Sequence, residues 1–199
     1  MVAIRGRIIK TVIVRPERCV GCLQCRLNCA VEHSRTRNLA GAIGEQVRPR
    51  PRLRLYPAGL HLAFPNKCRH CHPAPCLEVC IARAISVDEA RGTVDIDPQR
   101  CISCAMCAMA CPFGVLTYGP VYQAPDRTAV ALKCDQCPDR EKVGRVPACV
   151  EACKVGALTY WEWQEEQEAK GRGLAQAFFG GGAGETELPA GLRLWRQLG

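Results

Sequence analysis

The sequence predicts an α+β fold of short strands and short helices, in two units related by an internal pseudo-repeat, with a long insert and a C-terminal tail. Three observations predict it. Sixteen of the 199 residues are cysteine, and they fall into four groups of four. Short β-rich runs lead into the groups through a proline turn, and similar runs leave them. Only 6% of residues are aromatic, so a conventional large core is not the main organiser.

Residues 9–14 (IKTVIV) read as a strand stopped by the turn RPER before Cys19, and 93–96 (TVDI) as a strand stopped by DPQR before Cys101. Residues 84–87 (AISV), 115–118 (VLTY) and 157–160 (ALTY) leave their groups as further strands. Strand, proline turn, cysteine loop, short helix and strand therefore recur. The expected body is 1–160, in which 1–33 combines with 119–160, and 68–118 forms the other unit. Residues 34–67 are an insert carrying Arg35, Arg37, Arg48, Arg50, Arg52 and Arg54, read as an extended, solvated strand or as a partner-docking segment. It lacks the interleaved aromatics of a nucleic-acid arm. In the extension 161–199, Trp161, Trp163 and the acidic run to Glu168 suggest a helix. The glycine-rich stretch 180–184 reads as a flexible break, and Leu192, Leu194, Trp195 and Leu198 as an apolar end.

The start of the chain shows no export signal, and no apolar stretch approaches the roughly 18 to 20 residues that span a bilayer. The expected compartment is the cytoplasm, where structural disulfides are a poor reason for sixteen thiols. Spacing decides among the remaining uses. Cys19, Cys22, Cys25 and Cys29 follow C-x2-C-x2-C-x3-C, as do Cys101, Cys104, Cys107 and Cys111, the last followed by Pro112. Cys68, Cys71, Cys76 and Cys80 follow C-x2-C-x4-C-x3-C, and Cys134, Cys137, Cys149 and Cys153 stretch the middle gap to eleven residues. Zinc sites need two C-x2-C pairs, not repeated quartets. Three cysteines two apart let a tight loop wrap one [4Fe-4S] cubane, with backbone N–H groups turned to the sulfurs. A fourth cysteine three residues on, at the start of a helix pointing away, ligates the neighbouring cubane in two-cluster ferredoxins. The pattern predicts two ferredoxin-like 2[4Fe-4S] units and four clusters in all.

Charge is consistent with this. The formal +8 comes from 27 basic minus 19 acidic residues and counts every cysteine as neutral. Each oxidised cubane with four thiolates carries roughly −2, so four nearly cancel the excess. Nucleic acid and anionic membrane are then not needed as partners.

The quartets, with the stretches CAVEHS (29–34), LAGAI (39–43), CRHC (68–71), LKCDQCPDR (132–140) and PACVEAC (147–153), resemble the four-cluster ferredoxin subunits of the dimethyl sulfoxide reductase iron-sulfur subunit family. The resemblance covers about residues 10 to 160. Within that family the likeness runs to the iron-sulfur electron-transfer proteins of anaerobic carbon monoxide dehydrogenase. It implies an electron-transfer subunit without a substrate site, relaying electrons from carbon monoxide dehydrogenase to a hydrogenase or other acceptor. A molybdenum or tungsten formate or aldehyde oxidoreductase is the alternative partner, and a cluster scaffold or maturation protein the alternative class. Carried over residue by residue, the family's crossed ligation implies one cluster on Cys19, Cys22, Cys25 and Cys153 and a second on Cys134, Cys137, Cys149 and Cys29. It implies a third on Cys68, Cys71, Cys76 and Cys111 and a fourth on Cys101, Cys104, Cys107 and Cys80. Ile81 and Lys154 depart from the family's usual proline after the last cysteine of a quartet. With sixteen cysteines filling sixteen iron positions, His33, His70 and His72 are expected to hydrogen-bond or pack, and Met106 and Met109 to pack against a cubane.

Overall fold

Runs of three to five β-prone residues bounded by prolines and cysteine loops are too short to build a large sheet, and they pair two at a time. The computed structural model describes residues 10–59 and 62–179. In it β1 (Lys10–Val14) pairs with β8 (Leu158–Glu162), β2 (Arg54–Pro57) with β3 (Ala63–Asn66), β4 (Ile85–Asp88) with β5 (Thr93–Ile96), and β6 (Thr117–Gly119) with β7 (Val130–Leu132). The last three ribbons are antiparallel, with Arg54 opposite Asn66, Ile85 opposite Ile96 and Thr117 opposite Leu132. Short helices lie between them: α1 (Gln24–Glu32), α2 (Leu39–Gly44), α3 (Pro75–Glu78), α4 (Met106–Ala110), α5 (Pro138–Lys142) and α6 (Ala148–Glu151). The class is α+β, as predicted.

Residues Thr11–Tyr160 form one compact unit, while Lys10 and Trp161–Phe179 fall in a second. Within the first, buried residues gather around the cysteines. Val12, Leu53 and Leu158 surround Cys25, Cys29 and Cys149, and Ile85, Val94, Val130 and Leu132 surround Cys101 and Cys107. The rest of the core is chiefly alanine and cysteine, small side chains that fill the space between cysteine loops.

Helices α1 and α6 pack together, joined by Arg140 of α5, whose guanidinium binds Glu32 of α1 at 3.1 Å and also Glu151 of α6. Arg140 is buried, and three charges held in one place stabilise the pairing only as a set. In the second unit the helix predicted after Trp161 is α7 (Trp163–Phe179), carrying i,i+4 pairs Glu166–Lys170 and Glu168–Arg172. The glycine-rich break at 180–184 and the apolar end at Leu192, Leu194, Trp195 and Leu198 lie outside the described residues.

The insert departs from a solvated strand. Leu53 is buried, Arg50 donates to the Tyr118 carbonyl at 3.2 Å, and Arg52 is ion-paired with Asp135. Ribbon β2–β3 was hidden because two of its eight residues are proline, a poor strand former.

Candidate metal centres

Each C-x2-C opening makes the same turn. The residue just before the second cysteine has a positive φ in all four loops: Gly21 at +70°, His70 at +50°, Ser103 at +58° and Gln136 at +60°. Only one of the four is glycine, so the other three hold a conformation that costs about 1–2 kcal/mol for an L side chain. In return, the left-handed turn points consecutive N–H groups into the loop, as in the nests that bind anions. His70 N–H accordingly donates to Cys68 Sγ at 3.4 Å.

The structure gathers the sixteen thiols into four sets, each combining residues distant in sequence. Cys19, Cys22 and Cys153 lie about Cys25, close enough for their charge to act on its thiol. One cavity is lined by Cys29, Cys134, Cys137 and Cys149. Another is lined by Cys68, Cys71, Cys76 and Cys111, and a third by Cys80, Cys101, Cys104 and Cys107. Among the described residues none of the sixteen is in a disulfide. Every set receives a backbone N–H at sulfur: Leu158 to Cys153 at 3.4 Å, Arg52 to Cys29 at 3.2 Å, His70 to Cys68 at 3.4 Å, and Ala84 to Cys80 at 3.3 Å.

The sets differ in exposure and charge. Cys29, Cys134, Cys137 and Cys149 are all buried, whereas Cys22 and Cys104 are exposed. Burial and neighbouring sulfurs push the Cys25 thiol up to about 11. Burial and the Asp135 carboxylate push Cys137 up to about 12. Burial also pushes up Cys29, Cys134 and Cys149, so the four thiols of this cavity keep their protons unless a cation replaces them. Asp135 sits in that loop, between Arg52 of the insert and His33 Nε2 at 3.1 Å. Against the upward pull of its burial, the His33 hydrogen bond and the Arg52 charge hold its carboxyl well below the usual range.

His70 supplies a further test of fit. Burial, with Lys133 and Lys67 nearby, drives its imidazole down to about 2, so it is neutral. Its Nδ1 accepts the Val94 N–H at 3.0 Å, which leaves the proton on Nε2, and Nε2 is buried without a partner. Its backbone N–H, by contrast, is engaged at the Cys68 sulfur. Four converging thiols and N–H groups at sulfur together match the demands of a thiolate-ligated iron-sulfur cluster.

Comparison with known proteins agrees. Residues 60–162 match the family described as 4Fe-4S dicluster domain. The chain is 38% identical to the "Iron-sulfur protein" of Rhodospirillum rubrum, over 74% of this chain and 79% of that one. The chain belongs to the 4Fe-4S dicluster domain family. It is also 36% identical to the thiosulfate reductase electron transfer subunit PhsB of Salmonella typhi, over 76% of this chain and 74% of the relative. With the electron transport protein HydN of Escherichia coli (strain K12) the identity is 33%, over 74% and 85%. The protein thus carries [4Fe-4S] clusters and is an iron-sulfur electron-transfer protein of this kind. No helix among the described residues is long and apolar enough to cross a membrane.

Several residues singled out in the dicluster sequence lie elsewhere than expected. Met109 is 72% exposed and Met106 39%, so neither is packed away against a cysteine set. Helix α4 is only five residues long and turns just Cys107 of its own residues inward. His72 is exposed, as are Ile81 and Lys154. Conversely, Asp135, Arg52, Lys67 and Lys133 were not singled out as partners of the sulfurs. The signal for the lysines was present: KCRHC at 67–71 and KCDQC at 133–137 place a lysine before each loop.

Proposed function

We propose that this protein is a four-cluster electron conduit, with its clusters held by the crossed sets Cys19, Cys22, Cys25, Cys153; Cys134, Cys137, Cys149, Cys29; Cys68, Cys71, Cys76, Cys111; and Cys101, Cys104, Cys107, Cys80. The single observation that carries this is the meeting, at each site, of three thiols of one quartet with the last thiol of another. When bound, a [4Fe-4S] cluster supplies one-electron exchange. Three links in the polypeptide support an order. Cys25 and Cys29 lie on one helical turn of α1, tying the first set to the second. Cys68 and Cys134 share one small buried group with Val115, tying the second to the third. Cys107 of α4 and Cys111, which caps that helix, tie the fourth to the third.

The two ends of this series reach the surface. Exposed Cys22 is flanked in sequence by exposed Val20 and Leu23, and exposed Cys104 by exposed Ile102 and Met106. Exposed apolar neighbours of an accessible ligand suit docking of an electron donor at one end and an acceptor at the other. Two 2[4Fe-4S] units, 1–33 with 119–160 and 68–118, are the grouping that matches this order, in a protein without its own substrate site.

For the donor we name carbon monoxide dehydrogenase, on the stretch 29–43, with a hydrogenase or other acceptor beyond. The likeness to PhsB, an electron transfer subunit of thiosulfate reductase, favours a second reading in which the partner is the catalytic subunit of another oxidoreductase. A molybdenum or tungsten formate or aldehyde oxidoreductase is the case that metal analysis addresses. Affinity capture of the native complex with metal analysis decides. Nickel in the co-purifying subunit supports the first reading, molybdenum or tungsten the second, and neither metal counts against both. Cys29→Ser tests the crossing: it should damage the cluster of Cys134, Cys137 and Cys149, and damage confined to that of Cys19 would overturn the map.

A further inference from the structure

Lys67 and Lys133 are each only 4% exposed. Each precedes the first cysteine of one quartet and lines the cavity of another: Lys67 that of Cys29, Cys134 and Cys149, Lys133 that of Cys68, Cys71 and Cys76. Among the described residues their ammonium groups donate only to carbonyls, Lys67 to Cys68 O at 3.0 Å, Lys133 to Val94 O and, at 3.3 Å, to Cys134 O. Among the described residues neither meets a carboxylate within 4.0 Å. The two form a crossed pair in the repeated frame K-C-x-[HQ]-C, with His70 and Gln136 also buried at equivalent positions.

A buried ammonium without a counter-charge costs several kcal/mol, so two such groups side by side need anions nearby. Carbonyl dipoles offset part of that cost, and Asp135, the carboxylate that lines the Lys67 cavity, is already held by Arg52 and His33. The further anions available are the thiolate-ligated sites on either side. We infer that Lys67 and Lys133 are the shared counter-charges of the two inner [4Fe-4S] sites, and that together they hold both reduction potentials up. This rests on the ligand sets proposed above. Each cation lies in the cavity of one inner site and is attached through one peptide link to the first ligand of the other, so its charge acts on both. An added electron at either site is stabilised by both lysines, because the field of a buried charge is weakly screened. The lysines act through the sites and are positioning residues, without contact to any partner.

The test uses the full-length, cluster-loaded protein in anaerobic redox titrations followed by electron paramagnetic resonance, with iron and sulfide measured on the same samples. Lys67→Met and Lys133→Met remove charge at nearly constant length, Lys67→Arg and Lys133→Arg retain it, and the exposed Lys142→Met is a control. The expected result is that each methionine variant moves two midpoints to more negative values, with iron retained and the arginine and Lys142 variants unmoved. Unmoved midpoints with full iron, or a shift of one centre alone, would overturn the inference. If the methionine variants lose iron, the arginine variants decide: retained iron with parental midpoints upholds it, and loss of iron there too refutes it. A parental protein with far fewer than about sixteen iron atoms would instead remove the ligand reading on which it rests.

Discussion

The cavity of Cys29, Cys134, Cys137 and Cys149 and that of Cys80, Cys101, Cys104 and Cys107 are built from the same loop geometry and end in opposite environments. In the first, every thiol is buried, and the loop is clamped by Asp135 with Arg52 from the insert and His33 from the end of α1. In the second, Cys104 is exposed, and the side-chain contact is the neutral Tyr118 hydroxyl at 3.2 Å from Cys107 Sγ. The C-x2-C turn is enough to make a thiol nest, and what surrounds the turn decides whether the site is insulated or accessible. An electron conduit needs both kinds.

The largest effect expected is common to both sites. With the core made of small side chains packed round thiols, stripping the iron by an anaerobic chelator should abolish the cooperative thermal transition followed by circular dichroism, as in metal-dependent small domains. An iron-free chain that still melts cooperatively would show that the polypeptide, and not its ligation, holds the fold. Next comes the clamp that separates the sites. Asp135→Asn leaves Arg52 without its buried partner and should cost about 3 kcal/mol in denaturant unfolding, with selective loss of the inner signal. Tyr118→Phe removes one neutral hydrogen bond and should cost about 1 kcal/mol with the iron retained. Equal losses in the two variants would erase the distinction. Smaller again is Lys154→Pro at the exposed position after Cys153. Its charge lies in solvent, so only a slight negative shift of the outermost midpoint is expected, and a shift as large as those of Lys67→Met would contradict the ranking by burial.

Much of this comparison was legible in the sequence. The strands at 84–87, 93–96 and 157–160 appear as β4, β5 and β8 within two residues, because β-branched runs between prolines and cysteine loops have few alternatives. The quartets are visible because ligation restricts spacing. What the sequence concealed is what tertiary context sets. Arg52 looks like one of six arginines in a solvated insert until Asp135, 83 residues away, is seen to take it. Arg140 looks like a surface charge of α5 until Glu32 and Glu151 close on it. Met109 looks apolar enough to pack, but α4 is too short to turn two of its methionines inward. The lysines before Cys68 and Cys134 could have been paired by their repeated frame, but only the structure brings each to the other's cavity.

The central claim is that all four thiol sets, buried and exposed alike, hold complete [4Fe-4S] clusters. Iron and acid-labile sulfide measured on anaerobically purified protein test it most directly. About sixteen of each per chain, four per site, are expected. About half that number, or zinc in place of iron, would contradict it.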